Sequence, residues 1–175
     1  MGILTGAISA AWYRTDGTCP SDARERFAKA LKRYAFRPID SQKPETHSAG
    51  WVDPRDILST DLAWDRLTVG PYLVLGLRVD KKSVPSTLFK AHVRQALKKV
   101  SKEKKSSRIS RTEKKAVEEQ VAADLLKQAS PSVALYEAAW NTATGDVLFG
   151  AAARSINEGF QEIFALTFDL ELVPN

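Results

Sequence analysis

The sequence predicts an α+β fold: an antiparallel sheet with packed helices, and a basic helical segment near the middle of the chain. Three observations carry that reading. Residues 71–79, PYLVLGLRV, are dense in Leu, Val and Tyr, the composition of a strand. Residues 133–153, VALYEAAWNTATGDVLFGAAA, read as two strands joined by a turn at TATGD, which makes them an antiparallel hairpin. Between and after these segments, apolar residues recur at helical spacing.

Taken in chain order, residues 3–13, ILTGAISAAWY, alternate imperfectly and suggest a strand with Gly6 as a bulge. TDGTCPSD at 15–22 is a turn. It leads into a helix over 22–36, where Ala23, Phe27, Ala30, Leu31 and Tyr34 form one stripe and Ser21 is placed to cap the start. Residues 37–66 contain Pro38, Pro44, Gly50 and Pro54 and read as irregular, with a short element near GWV. After the 71–79 strand comes a helix over 84–100 that starts from Pro85 with Ser86 as its cap. Phe89, Val93, Ala96, Leu97 and Val100 fall within about 100° on its wheel. Arg94, Lys98, Lys102 and Lys105 occupy the facing arc, and apolar packing ends near Val100. SSRIS at 106–110 breaks the pattern. The next helix is predicted to start with Thr112 as N-cap and Glu113 at N1, with Val117, Val121 and Leu125 as its stripe. That places Lys114 and Lys115 in its first turn, the unfavourable end of the helix dipole, at about a few tenths of a kcal/mol when exposed. Residues 155–168 form the last helix, with Ser155 and Glu158 at capping-box spacing and Ile156, Phe160, Ile163 and Phe164 facing inward. LELVPN at 170–175 closes as a short strand. One domain over 1–175 is expected, with 84–128 a basic helix-break-helix region inside it.

The chain has 175 residues, 43% hydrophobic and 9% aromatic, enough apolar material for a core. Its net charge is +5. Residues 94–115 contain ten basic and two acidic side chains, so this segment carries +8 and the remainder −3. A basic segment on a slightly acidic body directs its potential toward one partner. The single cysteine, Cys19, excludes an intramolecular disulfide and points to an intracellular, cytoplasmic protein. No stretch approaches the roughly 20 apolar residues a membrane span needs, and the first residues match neither a signal peptide nor a myristoylation site.

Little in the sequence points to catalysis. His47 and His92 are isolated and there is one cysteine, so no zinc signature exists; no dinucleotide, P-loop or nucleophile-elbow motif is present. Asp53, Asp56, Asp61 and Asp65 could in principle hold Mg²⁺, but Asx-turn and capping roles in DPRDILSTDLAWD explain them better. No catalytic residue, metal or cofactor is expected.

A charge run is often only a solvated face. This one is poor in acidic neighbours, interleaves Ser with Arg in SSRISR, and sits between two amphipathic helices. Such a strip neutralises phosphates by counterion release without reading bases. The run has no aromatic platform for unstacked bases and no Trp or Phe beside its lysines for an anionic membrane; Trp12, Trp51, Trp64 and Trp140 lie outside it and read as core or interface residues.

Several stretches together resemble the N-terminal half of the recombination-associated RdgC family: FRP at 36–38, Gln42, GWVDP at 50–54, VPSTLFKAHV at 84–93, SRISRTEKKAVEEQVAADLL at 107–126, the Trp140 strand and TATGDVLFG at 142–150. The likeness spans about residues 10–175, and the chain reads as a shortened homologue of a family near 300 residues long. The resemblance implies a non-enzymatic, intracellular, nucleoid-associated protein that dimerises into a ring, binds double-stranded DNA with little sequence preference and restrains recombinase filaments; for this shorter chain an oligomer, either ring or clamp, is expected. The residues expected to contact DNA are Arg94, Lys98, Lys99, Lys102, Lys105, Arg108, Arg111, Lys114 and Lys115. Two other classes stay open. One is a non-enzymatic interaction or assembly module whose basic strip meets an acidic protein partner; the other is a single-strand or RNA binder.

Overall fold

The computed structural model describes residues 9–40, 43, 45–104 and 108–175. The strand start at 3–8 with its Gly6 bulge, Gln42, Pro44 and the Lys105–Ser107 step lie outside them. The α+β class holds. The elements are β1 (Ala11–Asp16), α1 (Ala23–Arg33), β2 (His47–Val52), α2 (Trp64–Leu67), β3 (Thr68–Val69), β4 (Tyr72–Lys81), α3 (Ser86–Glu103), α4 (Arg111–Gln128), β5 (Ser132–Asn141), β6 (Asp146–Phe149), α5 (Arg154–Phe168) and β7 (Glu171–Pro174). Strand order is β2-β4-β5-β6-β1-β7, with β3 paired to β4. The chain divides into two compact units: Met1–Pro38, Ser48–Val79 and Val133–Asn175 form the first, Ile39–His47 and Asp80–Ser132 the second.

In the first unit the predicted hairpin forms from β5 and β6, with Ala138 opposite Phe149 and Trp140 opposite Val147. Asn141 Oδ1 accepts from the backbone N–H of Ala143 and Thr144, and Gly145 closes the turn at φ +83°, where a Cβ would lie 2.6 Å from Thr15 Oγ1. β1 joins from the far end of the sequence, antiparallel to both β6 and β7. Five consecutive residues of β4, Leu73 to Leu77, are buried on both faces of the sheet, which explains why that segment reads as continuously apolar.

The core is aromatic. Trp51, Trp140, Phe27, Phe149, Phe160, Phe164 and Phe168 are all fully buried. Phe160 of α5 stacks on Phe149 of β6 with ring centroids 3.8 Å apart, and Trp140 meets Phe27, Phe164 and Phe168 at 5.1–5.7 Å. Burying rings of this size contributes roughly 1.5–3 kcal/mol each. Phe160 and Phe164 face inward as their spacing predicts, with Ile156 and Ile163 partly buried beside them. A polar contact no local pattern announces runs through this core. Tyr13 Oη donates to Asn157 Oδ1 at 2.6 Å, and Asn157 Nδ2 donates to the Ala151 and Ala153 carbonyls.

GWVDP is scaffold. Trp51 N donates to the Tyr34 carbonyl and Phe36 N to the Trp51 carbonyl, a parallel bridge in which a Cβ on Gly50 would sit 2.4 Å from Phe36 Cα. Glycine is the residue that fits there. Trp51 then buries its ring and donates Nε1–H to Thr167 Oγ1 at 2.8 Å.

The predicted caps of α1, α3 and α5 are displaced. α1 starts after Asp22 rather than Ser21, with no side-chain cap bond. Pro85 holds the N-cap position of α3 and Ser86 is already its first helical residue. α5 starts after Ala153, two residues before Ser155, and Glu158 pairs with Arg154 at 2.7 Å instead of closing a capping box. In each case the helix start is shifted by one or two residues from the strongest local cap signal, because propensity at a terminus is weak beside packing of the apolar stripe.

Candidate nucleic-acid interface

The second unit is built on α3 and α4, two helices of 18 residues that pack on each other. Their short connection makes this an αα-hairpin. One groove joins Leu88 near the start of α3 to Leu125 near the end of α4, and another joins the last turns of α3 to Ile109, so the helices run antiparallel. The apolar stripe of α3 is the predicted one: Val93 is buried and Phe89, Ala96, Leu97 and Val100 are partly buried. Packing thins after Ser101, where Lys102, Glu103 and Lys104 are exposed.

That arrangement turns the other side of α3 to solvent. Arg94, Lys98, Lys99 and Lys102 are all exposed. Lys90, which the sequence reading passed over, is exposed as well and stands four residues before Arg94. Lys90, Arg94, Lys98 and Lys102 thus recur every four residues and form one ridge about 18 Å long at 1.5 Å per residue. Lys99 lies about 60° beyond Lys102 around the axis. None of these five has a carboxylate within ion-pair distance among the described residues.

α4 corrects two expectations. Its N-cap is Ser110, not Thr112, and Glu113 is at N3, not N1. Ser110 Oγ accepts from Glu113 N at 3.2 Å while Glu113 Oε2 accepts from Ser110 N at 2.9 Å, a complete capping box. Lys104 also pairs with the Glu113 carboxylate. The start of this helix is therefore capped by its own residues, and Lys114 and Lys115 fall two positions further into the helix than the sequence predicts. Both lysines lie past the first turn, paired to Glu118 at 3.8 Å and Glu119 at 3.6 Å. Lys114 and Lys115 are thus paired along α4, while the cations of α3 have no carboxylate partner among the described residues. Arg108 is exposed on the approach to α4 and Arg111 is exposed as its first residue; Lys105 lies outside the described residues.

In the first unit, Asp53 and Asp56 serve the backbone as their spacing suggests, while Asp61 and Asp65 pair with arginine side chains instead. Asp53 is fully buried; its Oδ1 accepts from Arg55 N at 2.9 Å and its Oδ2 from Arg66 Nε at 2.7 Å. Burial pushes this carboxyl up, but the Arg55 N–H and the Arg66 and Arg55 guanidiniums outweigh it and hold Asp53 below the usual carboxylate range. Asp56 Oδ1 accepts from Leu58 N, Asp65 pairs with Arg24, and Asp61 lies 3.7 Å from Arg66. Among the described residues no group of three or more His, Cys, Asp or Glu is arranged to hold a metal, and no described helix is long and apolar enough to cross a membrane. Of the tryptophans, Trp51 and Trp140 are core, Trp64 lies against Phe27, and Trp12 is 56% exposed beside Val69, Tyr72 and Leu148 on the sheet.

These features define an α+β protein that presents a cationic helical hairpin. The RdgC family model, described as "Putative exonuclease, RdgC", matches residues 9–172. The chain belongs to the RdgC family, which gives it a DNA-associated, recombination-related role. No curated protein matches it.

Proposed function

We propose that this protein binds double-stranded DNA without sequence preference through the cationic ridge of α3, and that it does so as a non-enzymatic, self-associating protein of the cytoplasmic nucleoid. The observation that carries this reading is the set Lys90, Arg94, Lys98, Lys99 and Lys102, exposed and without carboxylate partners among the described residues, on a member of a DNA-associated family. Cations mounted on a packed helix meet phosphates with little reorganisation and release their counterions. Arg108 and Arg111, exposed just before and at the start of α4, add to the same basic run; Lys114 and Lys115, already paired, contribute less. Base edges are left unread, since the ridge carries neither the Asn/Gln pattern of a recognition helix nor aromatic rings.

Duplex affinity measured against salt tests the site. Binding should fall steeply with salt, and replacing Arg94, Lys98, Lys99 and Lys102 by Ala should flatten the slope of log K by about 0.9 for each phosphate no longer neutralised, on every sequence alike. Unchanged duplex affinity in a folded variant would remove the ridge from the interface. Incubating linear duplex with the protein and Mg²⁺ should release no nucleotides; progressive shortening from the ends would replace the non-enzymatic reading with the exonuclease that the family description names. Sedimentation should find a dimer or ring, and co-sedimentation with recombinase filaments tests the recombination link.

A further inference from the structure

The cations of α3 do not stand on a purely polar surface. Arg94, Lys98 and Lys102 line an open groove whose other lining residues, among those described, are Leu97, Ser101 and Ile109. Leu97 and Ile109 are only partly buried, so an apolar floor lies between the last turns of α3 and the residue before the α4 cap. A phosphodiester backbone has no use for such a floor. An aliphatic or aromatic side chain does, and the three cations, unpaired among the described residues, demand negative charge on either side of it.

We propose that this groove binds an acidic peptide segment carrying one bulky apolar side chain. That side chain rests on Leu97 and Ile109 while flanking carboxylates reach Arg94, Lys98 and Lys102. The segment and duplex DNA then share cations and exclude one another, so an acidic partner displaces the protein from DNA. This competitive half rests on the DNA-binding reading above; the groove itself does not. Charge complementarity governs approach, and the apolar contact supplies the discrimination between this segment and any other polyanion.

The probe is a fluorescein-labelled, end-capped peptide of sequence DDFDDD, compared by anisotropy with a twin in which serine replaces the phenylalanine, at roughly 50 mM salt to limit screening. The phenylalanine peptide should bind at least about tenfold more tightly than its twin, the value of a well-covered aromatic side chain. Ile109→Ser, outside both helices, should weaken the phenylalanine peptide by a similar factor while leaving duplex affinity within about twofold, since it removes no charge. Unlabelled duplex should displace the peptide. Equal affinity for the two peptides, or no binding of either, overturns the groove even if duplex binds normally. Tight, phenylalanine-dependent peptide binding with no duplex binding or displacement keeps the groove and overturns the DNA reading instead. Thermal melting of Ile109→Ser confirms that any loss is local.

Discussion

Phe160 touches four other rings, while α3 buries a single side chain, Val93, along its whole length, and α4 buries none. The first unit is organised by apolar burial and the second by charge on helices whose stripes are only partly covered. In the first, nearly every substitution at a buried position is felt as stability. In the second, the exposed face can change with little effect on folding, which is the freedom a binding surface needs. The same asymmetry recurs inside the hairpin. α4 pairs Lys114 and Lys115 with its own glutamates; among the described residues, the α3 cations Lys90, Arg94, Lys98, Lys99 and Lys102 have no carboxylate partner.

The largest effect that separates the two units should come from Phe160→Ala. Losing a fully buried ring from this cluster is expected to destabilise by about 3–5 kcal/mol in denaturant titration. A loss under roughly 1 kcal/mol would mean the aromatic core is less tightly coupled than its ring packing implies.

Asp53→Asn comes next, at about 1.5–3 kcal/mol near neutral pH, since charge-assisted bonds from Arg66 and Arg55 are weakened in a buried site. The sign with pH follows from the lowered native value. Stabilisation by the carboxylate is fully present above the unfolded value of about 3.9 and disappears as pH falls through the lower folded one. The gap between wild type and Asp53→Asn should therefore close in acid, and a gap that widens there would reverse the assignment.

Ser110→Ala removes one side of the α4 capping box and should cost about 1 kcal/mol, read as faster amide exchange at the start of α4. Smallest of all should be Lys114→Ala with Lys115→Ala, at a few tenths of a kcal/mol per pair, because each lysine precedes its glutamate, the poorer order along a helix. Duplex affinity in that double variant should move less than in the α3 variant. A larger drop would erase the distinction between the two halves of the hairpin.

Whatever depends on periodicity was legible from the residues alone. The Phe89–Val93–Leu97 stripe, the β5–β6 hairpin around TATGD, the inward faces of α5 and the exposure of Arg94, Lys98 and Lys102 follow from spacings of two to four residues. Partnership was legible only in part. That Ser110 and not Thr112 would cap α4 changes the position of every basic side chain in its first two turns, and both residues are good caps in isolation. The acidic partners of Lys114 and Lys115 stand four residues downstream in the sequence, so that pairing follows from helical spacing alone. Gly50 beneath Phe36, Trp51 donating to Thr167 and Tyr13 donating to Asn157 join distant parts of the chain, and no local rule encodes them. The groove floored by Leu97 and Ile109 was hidden for the same reason, since it exists only once the two helices turn back on each other.

The placement of the aromatic residues has a spectroscopic consequence. All four tryptophans and all four tyrosines belong to the first unit, and the second contains neither. Intrinsic fluorescence will report melting around Trp51 and Trp140 and remain dark to fraying of α3 and α4. A circular dichroism signal that falls before the emission shifts would mark the hairpin letting go first, and a tryptophan placed at exposed Gln95 would give the cationic face a reporter of its own.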